Sequence, residues 1–185
     1  MKKYTAGFSL IELMVTLAVV AILAAIAVPS FESLMNSSAR RAQLSSINGD
    51  IQFARGEALA KSRQVVVCSS SDGSTCSGNN DWSNGWIVFT DLNTDGIPDY
   101  GTGTCDITED CLLKSKEAMN NRVNLNSAGS QLVFGPLGDL TAGANGFVLC
   151  AKDADVGVDT DHSNTLNINA SGSVYATQGA ATCPP

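Results

Sequence analysis

The sequence predicts an α+β protein in which one long amino-terminal helix packs on an antiparallel β-sheet head. Three observations carry this. From Phe8 to Val28 the only strongly polar side chain is Glu12. After Pro29 the apolar residues Leu44, Ile47, Ile51, Ala54 and Ala58 recur at alternating steps of three and four, the period of one helix face. Beyond Arg63, short β-branched and aromatic runs alternate with clusters of Gly, Asn, Asp and Ser.

The first element, residues 8–29, is long enough to cross a hydrocarbon core of ~30 Å as a helix rising about 1.5 Å per residue. Lys2 and Lys3 precede it, and a positive flank holds that end on the cytoplasmic side. An acidic residue such as Glu12 inside a lipid-exposed helix is costly and marks a functional site by default. Pro29 lacks a backbone donor and is expected to kink or loosen the helix there. The second element, residues 30–63, is an amphipathic stem ending near Lys61. Its apolar stripe lies against a domain, with Arg40, Arg41, Asp50 and Glu57 on other faces.

Residues 64–185 form the head. Strands are expected at Val65–Cys68, Gly85–Thr90, Val123–Leu125, Leu132–Phe134 and Gly146–Cys150. Leu166-Asn167-Ile168 and Ser173-Val174-Tyr175 read as two arms of a hairpin across Ala170-Ser171-Gly172. No second domain or internal repeat is evident.

The formal charge of the chain is -7, unevenly distributed. The stem has five basic and three acidic side chains. The head has four basic (Lys114, Lys116, Arg122, Lys152) and fourteen acidic ones, a local balance of -10. Such a head lacks the clustered cations that nucleic-acid phosphates require, so nucleic acid is not an expected partner. All six cysteines follow the stem, on the far side of the membrane, where disulfides persist. Six cysteines allow fifteen pairings, and nearest neighbours are expected: Cys68–Cys76, Cys105–Cys111 and Cys150–Cys183. A zinc site is the competing use of these thiols. It lacks a CxxC pair, and the only histidine, His162, lies in a polar loop with Asp159, Asp161 and Asn164.

Gly7-Phe8-Ser9-Leu10-Ile11-Glu12, followed by the apolar helix to Pro29, resembles the class III signal of type IV prepilins and type II secretion pseudopilins. An ordinary secretory signal has its small-residue cleavage site after the apolar run, whereas Gly7 lies before it. The resemblance implies cleavage by a prepilin peptidase between Gly7 and Phe8, making residues 1–7 a leader peptide, and N-methylation of Phe8. It also implies an assembly ion pair between Glu12 and the new amino group of Phe8, within or between subunits. Phe53-Ala54-Arg55-Gly56-Glu57-Ala58, the strand ending in Cys68, and Gly85-Trp86-Ile87-Val88-Phe89-Thr90-Asp91 are similar to the GspH/FimT/FimU branch of minor pilins and minor pseudopilins.

That resemblance implies the type IV pilin fold and a non-catalytic subunit of a Gram-negative cell-surface filament, active in adhesion and twitching motility. The expected route is a single-pass inner-membrane protein with a periplasmic head, later packed into the pilus. Its partners would be the major pilin, other minor pilins, prepilin peptidase and the inner-membrane assembly platform. Two other readings remain: a GspH-like minor pseudopilin of type II secretion, and a DNA-binding receptor pilin for natural transformation. Some FimT-like members bind DNA through Gly-Arg-x-Arg in the last hairpin. Here Gly172-Ser173-Val174-Tyr175 has neither arginine, which removes the phosphate contacts.

No cofactor is expected, with calcium the one candidate. Asp91, Asn93, Asp95 and Asp99, with Gly96 at the sixth position, follow a calcium-loop spacing. Thr102 stands where the twelfth-position glutamate would be, so a residue such as Asp106 would have to complete the shell. No nucleophile elbow, HExxH or phosphate loop accompanies the Ser, Asp and His residues, so an enzyme is not expected.

Intact-mass analysis of protein from its native host should show loss of Met1–Gly7 and a methylated Phe8. Gly7→Val should block the cut, because a side chain there would crowd the scissile bond. Met1 retained in assembled filaments would contradict this.

Overall fold

One helix, α1, runs from Leu10 to Lys61 without interruption. The computed structural model describes residues 7–100, 105, 108–119, 121–143, 145–152, 154–155, 157–179 and 182–183. Lys2, Lys3, Thr102 and Asp106 lie outside them. The helix continues through position 29, because the proline removes one donor in a ladder with many. It ends where Ser62 takes a left-handed conformation (φ 50°) and the Arg63 N–H returns to the Ala58 carbonyl at 3.2 Å. Glu57 and Lys61, one turn apart, pair at 2.9 Å in the last turn.

The chain divides into two compact units, residues 1–35 and 36–185. In the first, large apolar side chains from Phe8 through Leu34 are exposed. A helix apolar on all sides with its large side chains exposed is suited to lipid or to other helices.

In the second unit, β1 (Gln64–Ser69), β2 (Trp86–Asp91), β3 (Cys111–Lys116), β5 (Gln131–Phe134) and β6 (Leu140–Gly143) form a five-stranded antiparallel sheet in the order β3-β2-β1-β5-β6. A second sheet has the order β10-β9-β7-β4, from β4 (Val123–Ser127), β7 (Gly146–Ala151), β9 (Ser163–Ile168) and β10 (Val174–Gln178). β8 (Gly157–Val158) and β11 (Thr182–Cys183) pair as a short ribbon. The expected hairpin is β9–β10, with Val174 opposite Ile168 and Tyr175 opposite Asn167.

The apolar stripe of α1 is the core of this unit. Ile47, Ile51, Ala54 and Ala58 are fully buried, in one cluster with Val65, Val67, Trp86, Val88, Phe134 and Phe147. Val66, Cys68, Ile87, Phe89 and Val133 form a second cluster. With alternate residues of β1 and β2 buried in different clusters, these strands read as unbroken apolar runs rather than alternations. Between the sheets, Trp82 meets Phe147 edge-to-face at 4.8 Å and donates from its indole nitrogen to the Gly129 carbonyl at 3.1 Å.

Disulfides join Cys68–Cys76, Cys105–Cys111 and Cys150–Cys183, and no cysteine among the described residues is free. The first two clip polar loops. The third ties the terminal β11 to β7.

Two polar stem residues are placed differently from expectation. Arg40 and Asp50 are buried rather than on solvated faces. For Asp50 the reason is partners distant in sequence. Its Oδ2 accepts the Trp86 indole N–H at 2.9 Å, and its Oδ1 pairs with the Lys114 ammonium, which also lies 5.7 Å from the Phe53 ring centre. A buried carboxylate is tolerated when paired and hydrogen-bonded.

Asp50→Ala should therefore leave the Trp86 N–H buried without an acceptor. The expected loss is about 2–3 kcal/mol, moderated because Lys114 can turn to solvent. Asp50→Asn keeps an acceptor for Trp86 and should lose less. Denaturant titration checks both, and an unchanged midpoint for Asp50→Ala would contradict the role of this contact.

Candidate functional site

The amino-terminal hexapeptide forms the start of α1. Gly7, Phe8 and Ser9 precede the helix, and Ser9 caps it. The Ser9 Oγ accepts the Glu12 backbone N–H at 3.3 Å, and the Ser9 carbonyl accepts the Leu13 N–H at 3.2 Å. Ser at the cap with Glu three residues later is the capping-box pattern, and an acidic side chain in the first turn suits the positive end of the helix dipole. Phe8 and Glu12 are exposed, and among the described residues the Glu12 carboxylate has no ion pair. Among the described residues, a Cβ added at Gly7 would meet nothing within 4 Å.

The candidate calcium loop is held together by its own polar groups. Asp91, almost fully buried, accepts the Thr94 N–H at 2.7 Å on one oxygen and the Gly96 N–H at 2.9 Å on the other. The Gln64 amide also donates to Asp91, at 2.8 Å. Asn93 donates to Asp95 at 2.9 Å and to Asp99 at 3.4 Å. Gly96 has φ +75°, a turn conformation that favours glycine. Asp110, which carried no signal of its own in the sequence, accepts the Leu92 and Asp99 N–H groups at 2.8 and 3.0 Å. Among the described residues no group of three or more His, Cys, Asp or Glu is arranged to hold a metal ion. Asp106 lies outside those residues.

A second loop, closed by Cys68–Cys76, is organised by Asp72. Its carboxylate accepts the Ser74 and Thr75 N–H groups and the hydroxyls of Thr75 and Ser70. Donation from Thr75 above all, then from Ser74, holds this carboxyl well below the usual range. The Tyr100 hydroxyl donates to the Ser74 carbonyl, and partial burial followed by the charges of Asp72 and Asp110 pushes the phenol up. Asp72-Gly73 in a serine-rich stretch, the composition of an Asx turn, is the sequence signal that marks this loop.

His162 is half-buried and its ring Nδ1 lies 3.1 Å from an Asp159 oxygen. Asp159 also accepts the backbone N–H groups of His162, Asp155 and Asp161 at 2.8–3.0 Å. In the last hairpin, Gly172 (φ +75°) packs so closely that a Cβ would meet the Gly138 carbonyl at 2.3 Å and the Arg55 guanidinium at 2.9 Å. Arg55 itself donates to the Gly138 carbonyl at 3.0 Å. This glycine lets the turn approach the stem of α1, while Ser173 and Tyr175 are exposed.

The family model for type II transport protein GspH matches residues 43–172, well over half of the chain. The prokaryotic N-terminal methylation motif matches residues 2–28. No curated protein matches the sequence. Two crystal structures of the type IV minor pilin FimU from Pseudomonas aeruginosa (strain PAO1) are similar. One has a TM-score of 0.52 at 18% identity, covering 80% of this chain and 99% of that one. The other has a TM-score of 0.50 at 17% identity, covering 80% and 94%. At these identities the likeness is one of fold.

The three backbone donors on Asp159, the His162 N–H foremost, lower its pKa to about 2. A carboxyl depressed on folding contributes stability that is present above its unfolded pKa of about 3.9 and is lost as pH falls through the folded value. Carbon-13 NMR titration of the Asp159 carboxyl should give a midpoint near 2. Asp159→Asn should flatten the loss of stability between about pH 4 and pH 2. A midpoint near the unfolded value would contradict the hydrogen-bonded loop.

Proposed function

The chain belongs to the GspH family, a family of minor pilins and pseudopilins carrying the amino-terminal methylation motif, and on that premise we propose that it is a minor type IV pilin. It enters the inner membrane by α1 with its head in the periplasm, is cut after Gly7 by prepilin peptidase, and is methylated on Phe8. It then joins the major pilin and other minor pilins in a filament or its initiating complex, as a structural subunit rather than an enzyme.

The observation that carries this reading is the hexapeptide Gly7–Glu12 at the start of a helix whose apolar side chains are exposed through Leu34. Such a helix can lie in lipid alone or among like helices in a filament core, and moving between them exchanges one apolar surrounding for another. Glu12 gives that exchange a direction. An unpaired carboxylate in lipid costs several kcal/mol, and the amino group freed at Phe8 supplies a counter-charge where the apolar helix has none.

The second reading is a minor pseudopilin of type II secretion, favoured by the description of the matched family itself. The pilus reading is supported by the fold likeness to a pilus subunit over 80% of the chain. Genes for pilus assembly or for secretion next to this one would separate the two.

Glu12→Ala should insert in the membrane and be cut normally, yet be scarce in sheared filaments. Glu12→Gln keeps shape and hydrogen bonding without charge. Incorporation of Glu12→Gln at the wild-type level would contradict charge pairing at this position.

A further inference from the structure

An open cleft of about 540 Å³ lies beside β4. That is within the usual size range of small-ligand sites. Its frame is the 81–84 turn, which is fixed from several sides. The Asp81 carboxylate accepts the Ser83 N–H and the Asn84 side-chain amide, each at 2.9 Å. The Trp82 N–H donates to the Leu125 carbonyl, and the Met119 N–H to the Ser83 carbonyl, both at 2.8 Å. Asn124 and Asn126, two residues apart on β4, line the cleft together with Asn121 and Lys152. Among the described residues none of these four side chains is engaged in a hydrogen bond. Met119 and Val123 supply the apolar part of the wall.

We infer that this cleft binds a neutral, hydroxyl-rich ligand of the saccharide class. Three physical points select that class. Each free carboxamide offers two donors and an acceptor, matching hydroxyl groups that both donate and accept. Among the described residues the charged side chains lining the cleft are Asp81 and Lys152, of opposite sign, so an anion gains no net attraction there. An extended peptide adding to β4 is blocked because that edge is already occupied. The Leu125 carbonyl accepts from Trp82, the Leu125 N–H donates to the Ser83 hydroxyl, and the Ser127 N–H donates to the Asn80 carbonyl. The fixed turn keeps the cleft pre-organised, which reduces the ordering cost of binding.

The test uses the full chain in phosphocholine micelles, which carry no sugar headgroup. Glucose, galactose, mannose and N-acetylglucosamine are titrated against the side-chain amide NMR signals of Asn121, Asn124 and Asn126, with N-acetylneuraminic acid as the anionic comparator. At least one neutral sugar should move these signals saturably, with a dissociation constant in the millimolar range or below. Asn124→Leu combined with Asn126→Leu should weaken that binding about tenfold or more, with the melting temperature unchanged. Should that double variant melt early, Lys152→Met, at an exposed position, should weaken the same titration. Silence of all four neutral sugars at about 50 mM, response to the anionic sugar alone, or unaltered binding in the variants would overturn the inference.

Discussion

Helix α1 has to satisfy two surroundings, and the rest of the structure follows from that constraint. Toward its start, Leu10, Leu17, Leu23 and Phe31 are exposed. Toward its end, Ile47, Ile51, Ala54 and Ala58 are fully buried. Small residues at the last two positions let the strands approach the backbone of the helix, while the larger side chains fill the space between them. The Asp50 contact to Trp86 and Lys114 adds direction to this packing, since hydrogen bonds depend on geometry where apolar contact does not.

The head then has to hold loops whose polar composition cannot bury much apolar surface. It does so with short covalent clips and with carboxylates turned onto backbone donors. Cys68–Cys76 closes the loop that Asp72 caps, and Cys105–Cys111 follows the loop held by Asp91 and Asp110. Many of the head's acidic side chains thus act as local acceptors in turns. That accounts for an acidic surface without invoking an ionic partner.

Much of this was legible in the sequence because it was local. The stripe from Leu44 to Ala58, the apolar runs of β1 and β2 and the turn at Ala170-Ser171-Gly172 each carry their signal within a few residues. The parts missed depend on distant partners. β3 has Lys114, Ser115 and Lys116 among its six residues and is a strand because it lies along β2 at the sheet edge. β6 is a short edge strand containing glycine, and β8 and β11 are two residues each. Asp50 reads as a solvated helix residue until Trp86 and Lys114, far along the chain, are placed beside it. At the amino-terminal end the hexapeptide was legible as a motif, and the Ser9-to-Glu12 spacing is itself the capping-box pattern that Ser9 fulfils as helix cap.

In the assembly proposed for this subunit, the exposed apolar half of α1 leaves lipid and packs among like helices. The most direct measurement places a photo-crosslinking residue at Val19, an exposed position in the middle of that half, in the native host. After irradiation, crosslinks to another pilin helix are expected in the sheared filament fraction and should be rare in membranes of cells unable to assemble filaments. Equal crosslinking in both fractions, or protein found only as uncrosslinked membrane monomer, would contradict the claim.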